Sequence, residues 1–474
     1  MRNKSGVLVA VSAVTLLCGC ASYRPKPLSP ADNARALASR SLDDPRLEQF
    51  VAKALRGGNG RSAGAASRWR LTTLTLAALY FHPDIKIARA RLSAAAAAVV
   101  TAGEIPNPAL ALTGNLGRAA VAGAIPAGAA PITIGPVIDF VIETAGKRAA
   151  RTARAEALAD VARRDITTAA WQVRGRVRDA LIDLWAAQRR SALTRRRLAL
   201  QEALVRLLEH RLAEGAASAL EVMRERIARA QIRFALADLE GRNAQARAEL
   251  AAAIGVPEQG LDRVDPDFGA FEHPPGVPGD TARWRHAALT GRSDVQARLA
   301  AYEAAQDALR LAVADQYPNV TLGPGYTYDL GVDRYILDAG AVVPIFNRNE
   351  GPIAEALAGR DEAAAAFTAV QARIIGAVDR AEAAYRKAVA GAALGNAVRT
   401  DEALRAERVE TAFRAGQMDR PALLTARLGL ATAELARFDA VVEVRRAIGA
   451  LEDALQHPLY EPDAPMPPLS GLAS

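Results

Sequence analysis

What most constrains this chain is that it states one plan twice, about 200 residues apart, a period far too long for a solenoid unit. In the first copy, HPDIKIARARLSAAAAAVVTAGEIPNPAL carries a helical pattern from Asp84 that breaks at Ile105-Pro106-Asn107-Pro108. In the second, RSDVQARLAAYEAAQDALRLAVADQYPNVTL carries one from Asp294 that breaks at Tyr317-Pro318-Asn319. Proline ends a helix because it has no N–H to donate and pushes its predecessor out of the αR region. Alternating, strand-like stretches follow each break, over 109–113 in one copy and 320–328 in the other. After a connection rich in Gly, Pro and Ala comes a second strand, ITIGPVIDFVIE at 132–143 and YILDAGAVVPIF at 335–346. Each then runs straight into a helix. Two strands per copy make four per chain.

The helix beginning near Lys147 keeps its pattern past Arg211, about 65 residues, which at 1.5 Å per residue is roughly 100 Å. Its counterpart, from Ile353, is expected to break softly around Gly391 and Gly395. Matching turns end both, HRLAEGAASALEVMRER and TAFRAGQMDRPALLTAR, with Gly215 and Gly416 at equivalent places. A glycine there reads as a C′ cap, and Ser218 and Asp419 as N-caps of the returning helices. Those helices run to Pro257 and Pro458, so that Leu250 matches Leu451. The chain divides accordingly: a leader (1–19), an N-terminal anchor and strap (20–68), the first repeat (69–257), a Pro/Gly/Asp-rich linker (258–290), the second repeat (291–458) and a C-terminal tail (459–474).

Both cysteines of the chain sit at the end of its first apolar run. Arg2 and Lys4 form a positive start, 6–17 an apolar stretch, and small residues follow, which is the layout of an export signal and too short for a spanning helix. Leu17-Cys18-Gly19-Cys20 resembles a bacterial lipobox, which makes Cys20 the acylated first residue of the mature chain and removes Cys18 with the leader. A disulfide across one intervening residue is excluded by strain, and no metal ligands lie nearby. Ala21 rather than Asp after Cys20 resembles the sorting pattern for the outer membrane.

Composition narrows the class further. Hydrophobic residues make up 50% of the chain, aromatic ones 5% and charged ones 24%, which fits long helices packed through small residues. The formal charge of +8 is spread over mixed Arg and Glu along helices, and stacking aromatics are scarce, so no nucleic-acid surface is expected. No G-x-S-x-G, Walker loop or H-E-x-x-H occurs, and no enzyme chemistry is expected. His82, His210, His273, His286 and His457 are scattered without ligand spacing, so neither a metal site nor a cofactor is expected. Lys147, Arg148 and Arg151 at a helix start oppose its macrodipole, and packing against a neighbouring chain or lipid headgroups is the favoured account over an anion site. Tyr326, Tyr328 and Tyr335 read as interfacial aromatics of a barrel, or as the lining of a substrate path. Phe346 is expected to pack at a strand-to-helix junction.

Strand hairpins joined to very long helices suggest one end in a membrane and the other far from it. Four strands cannot close a barrel, and an open sheet leaves edge N–H and C=O groups unsatisfied in lipid, so insertion requires several copies. The doubled plan resembles the TolC family of outer-membrane efflux factors over 71–458, through HPDI, IPNPAL, YPNVTL, ETAGKRAAR, PIFNRNEG and the two Gly-centred turns. It is most similar to the cation-efflux, CzcC-like branch, in which GKR and FNRN segments mark where strands pass into helices, here Gly146, Lys147, Arg148, Phe346 and Asn347. The fold class is then mainly α with membrane β: a duplicated α-helical coiled-coil barrel plus four strands of a trimeric transmembrane β-barrel. The resemblance implies a homotrimer with twelve strands in outer-membrane lipid, a periplasmic adaptor, and an inner-membrane RND-type pump driven by protons. The machine ejects metal cations or small toxic compounds. Gly215, Ser218, Gly416 and Asp419 become the periplasmic tips where the adaptor docks. Well-known members carry two gate aspartates where this sequence has Ala422 and Thr425. Gate candidates are instead Glu221, Arg224, Asp419 and Arg420, as an interchain Glu/Arg or Asp/Arg pair holding the closed state, or as plain solvated helix-end charges. The alternatives are a type I secretion exit duct and a lipidated coiled-coil scaffold without a pore.

Overall fold

The computed structural model describes residues 21–56, 69–116, 132–272, 281–329 and 332–460. The leader and Cys20 lie outside them. In chain order the elements are α1 (Pro30–Ala38), α2 (Pro45–Arg56), α3 (Leu71–Phe81), α4 (Pro83–Gly103), β1 (Ala109–Leu116), β2 (Ile132–Ile142), α5 (Lys147–Ala213) and α6 (Ala219–Ile254). A 3-10 turn (Glu258–Leu261) and the single turn α7 (Gly269–Glu272) lead to α8 (Thr281–Gly291), α9 (Ser293–Ala314), β3 (Val320–Asp329), β4 (Val332–Ala341), α10 (Glu350–Arg414) and α11 (Arg420–Leu455). The duplication is therefore α3-α4-β1-β2-α5-α6 followed by α8-α9-β3-β4-α10-α11. Because α8 is the counterpart of α3, the second copy starts inside the expected 258–290 linker.

The long helices have 67 and 65 residues. Contrary to expectation, α10 runs unbroken through Gly391 and Gly395. A glycine costs about 1 kcal/mol in a helix interior, but packing overrides it here. A Cβ on Gly395 would stand 3.4 Å from the Arg437 Cα of α11, so the missing side chain lets two backbones approach.

All four strands form one antiparallel sheet in the order β1-β2-β3-β4. The copies are stitched together by β2 and β3, with Phe140 opposite Leu322 and Ile142 opposite Val320. β4 differs from the reading of the sequence. It starts at Val332 and ends at Ala341, and Val342, Val343, Pro344, Ile345 and Phe346 leave the ladder. Pro344 has no N–H to offer a ladder, and the Ile345 N–H turns back to the Val343 carbonyl at 2.9 Å.

The main core lies around the middle third of α5, where α3, α6 and α11 pack on it through Leu74, Val177, Leu181, Leu250, Val442 and Leu451. Trp185 meets Phe438 edge-on at 5.0 Å, and Phe271 meets Tyr460 at 5.4 Å. Segments that read as strap, linker and tail contribute to this core: Leu42, Leu47 and Val51, then Phe271, then Leu459 and Tyr460 are all buried.

Beside this core, Glu452 is fully buried and joins the copies. Its carboxylate accepts from Arg174 at 2.6 and 3.1 Å, from Arg178 at 3.0 Å and from the Tyr460 N–H at 2.6 Å. Arg178 also meets Asp453 at 2.6 Å and Asp179 at 2.9 Å. Gly449 makes room: a Cβ there would fall 2.6 Å from the Arg178 Nε. Burial alone would raise the Glu452 pKa, but the two guanidiniums outweigh it and hold the carboxyl below its ordinary value. The α5–α11 seam continues as ion pairs, Asp183 to Arg446 at 2.8 Å and Arg190 to Asp439 at 2.6 Å.

A single truncation tests the network. Glu452→Ala strands two buried guanidiniums and should cost about 3–5 kcal/mol, read as a lower thermal unfolding midpoint. Since the folded-state pKa is depressed, this contribution is present above the ordinary carboxylate pKa of about 4.3 and is lost as pH falls through the folded value.

Candidate functional site

The sheet has two chemically different faces. Residues opposite each other in an antiparallel pair share a face, and alternate residues along a strand do too. From the register, Leu110 and Leu112 lie beside Ile134, Ile138 and Phe140, then Leu322, Tyr326 and Tyr328, then Tyr335 and Leu337. The opposite face carries Thr113, Thr133, Gly135, Asp139, Thr321, Gly323, Thr327 and Asp338. One face is thus dominated by large, exposed apolar side chains, with Asp333 at its margin, while the other mixes Thr, Gly and Asp with Val137, Val141, Val332, Arg334 and Ile336. The three tyrosines share the face of the large apolar residues, where the Tyr326 and Tyr335 rings lie tilted with centroids 5.7 Å apart and the Tyr326 hydroxyl donates to Asp333. Both outer strands have an unpaired edge, and every residue of β4 is exposed. Among the described residues no helix is long and apolar enough to cross a membrane.

Strands pass into helices through matched left-handed residues, Gly146 (φ 73°) ahead of α5 and Asn349 (φ 63°) ahead of α10. Glycine adopts this region freely and asparagine tolerates it. Lys147 departs from expectation: it is buried within its own chain, not offered to a neighbour or to lipid. Its Nζ donates to Asn319 Oδ1 at 2.9 Å and stands 3.6 Å from Asp315, while Thr144 donates to the Pro318 carbonyl at 2.7 Å. The copy-one junction is thus seated on the Pro-Asn turn of copy two. Arg151 grips Glu143 at 2.7 Å and the Ala102 carbonyl at 2.8 Å. Arg148 and Asn347 are exposed, and Phe346, expected to pack at its junction, is 98% exposed.

At the other end of the long helices the two turns have the same build. Gly215 (φ 75°) and Gly416 (φ 74°) follow the C-caps, and the next N–H reaches back to the Arg211 carbonyl at 2.7 Å and to the Ala412 carbonyl at 2.8 Å. Ser218 and Glu221 form a reciprocal capping box: Ser218 Oγ accepts from the Glu221 N–H at 3.2 Å, and the carboxylate accepts from the Ser218 N–H at 2.9 Å. Asp419 caps α11 by accepting from the Ala422 N–H at 3.0 Å. Leu204, Leu208, Val222 and Leu424 are buried together beneath the turns.

The gate candidates come together only in part. Glu221 is engaged by Ser218 rather than Arg224, and Arg224 pairs with its neighbour Glu225 at 3.1 Å. Arg420 is exposed beside Asp419. The partner of Asp419 in this protomer is Arg211, at 2.8 Å, which crosses from the end of α5 to the start of α11. Sequence reasoning missed Arg211. Its only local signal is a cation four residues before Gly215, where copy two has Ala412 before Gly416. The Ala422 N–H first, and Arg211 second, hold the Asp419 carboxyl below its ordinary value. At the tips the two hairpins are thus held together by the buried Leu204, Leu208, Val222 and Leu424 cluster and by an ion pair that also spans the copies.

Comparison with known proteins points one way. Residues 75–256 match the family described as outer membrane efflux protein. Relatives include the pyoverdine export outer membrane protein OpmQ of Pseudomonas putida, 28% identical over 48% of each chain. The OpmQ of Pseudomonas aeruginosa is 30% identical over 36% of this chain and 37% of its own. The chain spans about half the length, or less, of the curated relatives it matches. Among solved structures, the outer-membrane channel OprN superposes with a TM-score of 0.67 at 19% identity, covering 93% of this chain and 99% of its own. The outer membrane protein VceC of Vibrio cholerae gives 0.65 at 20% identity over 81% and 95%, and CusC gives 0.66 at 15% over 84% and 95%. These likenesses establish the fold, helical barrel and strand contribution together.

The caps are separable from the charges. Ser218→Ala should cost about 1 kcal/mol at the start of α6 and speed hydrogen exchange of the Glu221 and Val222 amides. Asp419→Asn should leave exchange at the start of α11 nearly unchanged, since asparagine caps as well as aspartate.

Proposed function

We propose that this chain, whose residues 75–256 match the outer membrane efflux protein family, is the outer-membrane channel of a tripartite efflux system. The observation that carries this reading is a four-stranded sheet, with large apolar side chains on one face and both edges open, joined through short junctions to helices of about 100 Å. Three copies supply twelve strands, a number that closes a membrane barrel with no free edge. The apolar face then meets lipid and the Thr, Gly and Asp face lines the lumen. The helices extend the lumen into the periplasm as a passive conduit.

The partners in this reading are two further copies of the chain, a periplasmic adaptor at the Gly215 and Gly416 tips, and an inner-membrane RND-type pump that supplies the energy. The cargo is metal cations or small toxic compounds; relatives that export pyoverdine widen the second class to chelating natural products. A scaffold without a pore has no use for an exposed apolar sheet face. Cys20 is the lipid attachment that ties each protomer to the outer membrane, resting on the lipobox-like LCGC. Metabolic labelling with palmitate should therefore mark the wild type and not Cys20→Ala; equal labelling of both would remove the anchor.

At the tips, the Arg211–Asp419 pair holds the two hairpins of a protomer in the closed arrangement. Planar-bilayer conductance of the purified protein tests this. The wild type should conduct weakly, and both Arg211→Ala and Asp419→Asn should conduct several-fold better, the double variant no more than either. Because the Asp419 pKa is depressed, the pair is intact above the ordinary aspartate pKa of about 3.9 and weakens as pH falls through the lowered value. Acid should thus open the wild type and leave Asp419→Asn unaffected. Unchanged conductance in all variants would place the constriction elsewhere.

A further inference from the structure

The two strand-to-helix junctions hold counterpart cavities, and only one of them is lined by a residue of the other copy. In copy two a cavity of about 320 Å³ lies between Tyr317, Pro318, Ile345 and Phe346, and Lys147 of copy one closes one side of it. In copy one a cavity of about 620 Å³ lies between Ile105, Pro106, Val141, Ile142 and Gly146. The repeat equates Pro106-Asn107 with Pro318-Asn319, and Gly146 with Asn349, the left-handed residue ahead of each long helix. By that equivalence, the position Lys147 holds against copy two falls to Glu350 in copy one. Glu350 of the same chain cannot take it, because β1 and β4 are the opposite edges of the sheet.

Sheet register carries the same relation. Equating Asn107 with Asn319 sets Leu110 on Leu322; their hairpin partners are Ile138 and Ala339, so Phe140 matches Ala341. Within the chain Phe140 pairs with Leu322. The counterpart of that pair is Ala341 with Leu110, which only two chains can make.

We propose that residues 342–350 are a subunit-joining element that seats on the Ile105-Pro106-Asn107 turn of a second copy of this chain. In this contact Glu350 takes, against Asn107 of the second copy, the place Lys147 takes against Asn319. Three observations fit that occupant. Val342, Val343, Ile345 and Phe346 are 70–98% exposed in the protomer, an apolar run that a second copy covers. The hydrogen bond inverts without loss, since an asparagine amide accepts from a lysine through its oxygen and donates to a glutamate through its NH₂. The acid beside Lys147, Asp315, has Gly103 as its counterpart, so the incoming carboxylate meets no like charge at that position.

The inference rests on the trimeric reading above, and the test separates the two. Native mass spectrometry and thermal dissociation in detergent are measured for the wild type, Asn107→Asp, Glu350→Lys and the double variant. Asn107→Asp, which faces Glu350 with a like charge, should lower the trimer dissociation midpoint. Adding Glu350→Lys should restore it, placing a lysine where Lys147 stands in the other junction and opposite an acid, as Lys147 stands beside Asp315. Ala341→Cys/Leu110→Cys should oxidise to a covalent trimer ladder, whereas Ala341→Cys/Leu112→Cys, two residues out of register, should cross-link far less. A wild-type trimer with additive charge variants and no cross-link at 341/110 overturns the joining element, leaves the trimer standing and assigns the apolar run to lipid. A monomeric wild type overturns both.

Discussion

An antiparallel sheet of four strands leaves two rows of backbone N–H and C=O groups without partners, and in hydrocarbon each such group costs several kcal/mol. That constraint governs the rest of this molecule. Duplication supplies the inner junction, β2 on β3, inside one chain, so that a protomer carries only two open edges instead of four. The remaining edges, on β1 and β4, stay open in the protomer. The apolar face, with Leu110, Ile138, Phe140 and Leu337 turned outward, is likewise uncovered there, unsuited to water and suited to lipid.

Helix length and sheet are coupled through the junctions. Gly146 and Asn349 turn each strand sharply into a helix, and Lys147, Thr144 and Arg151 lock the copy-one turn onto neighbouring loops. A rigid junction lets a barrel orient helices about 100 Å long. Further along, the Glu452, Arg174 and Arg178 network holds α5 against α11 with fully buried charges. Such a network adds little net stability over an apolar core, but it tolerates only one arrangement of its partners. At the tips the same two helices are linked by Leu424 packed with Leu204 and Leu208 and by the exposed Arg211–Asp419 pair, which is worth far less than the buried network. The α5–α11 seam thus grades from fully buried charges at the middle to an exposed pair at the tip.

Local rules made much of this legible. Pro106 and Pro318 stop helices because of missing donors, Gly215 and Gly416 cap them because of positive φ, and Ser218 and Asp419 begin the returns because their side chains accept from orphan N–H groups. Each of these depends on neighbours within a few residues. Gly395 misled because a helix-breaking tendency of about 1 kcal/mol is smaller than what close packing on Arg437 and Ala440 returns, whereas Gly391 faces open space and is carried by the helix around it. Lys147 misled because its partner, Asn319, is remote in sequence, and Arg211 was overlooked for the same reason.

By itself the sequence determined the duplication, the helix and strand order, and the caps and turns, because each follows from periodicity or backbone chemistry. Tertiary structure decided where charges find partners: that Glu221 is occupied by its own cap, that Asp419 reaches Arg211, that Lys147 is buried, and that residues 342–346 leave the ladder exposed. Those outcomes depend on distances between segments far apart in the chain. Local propensity carries no information about such distances until the two copies are folded against each other.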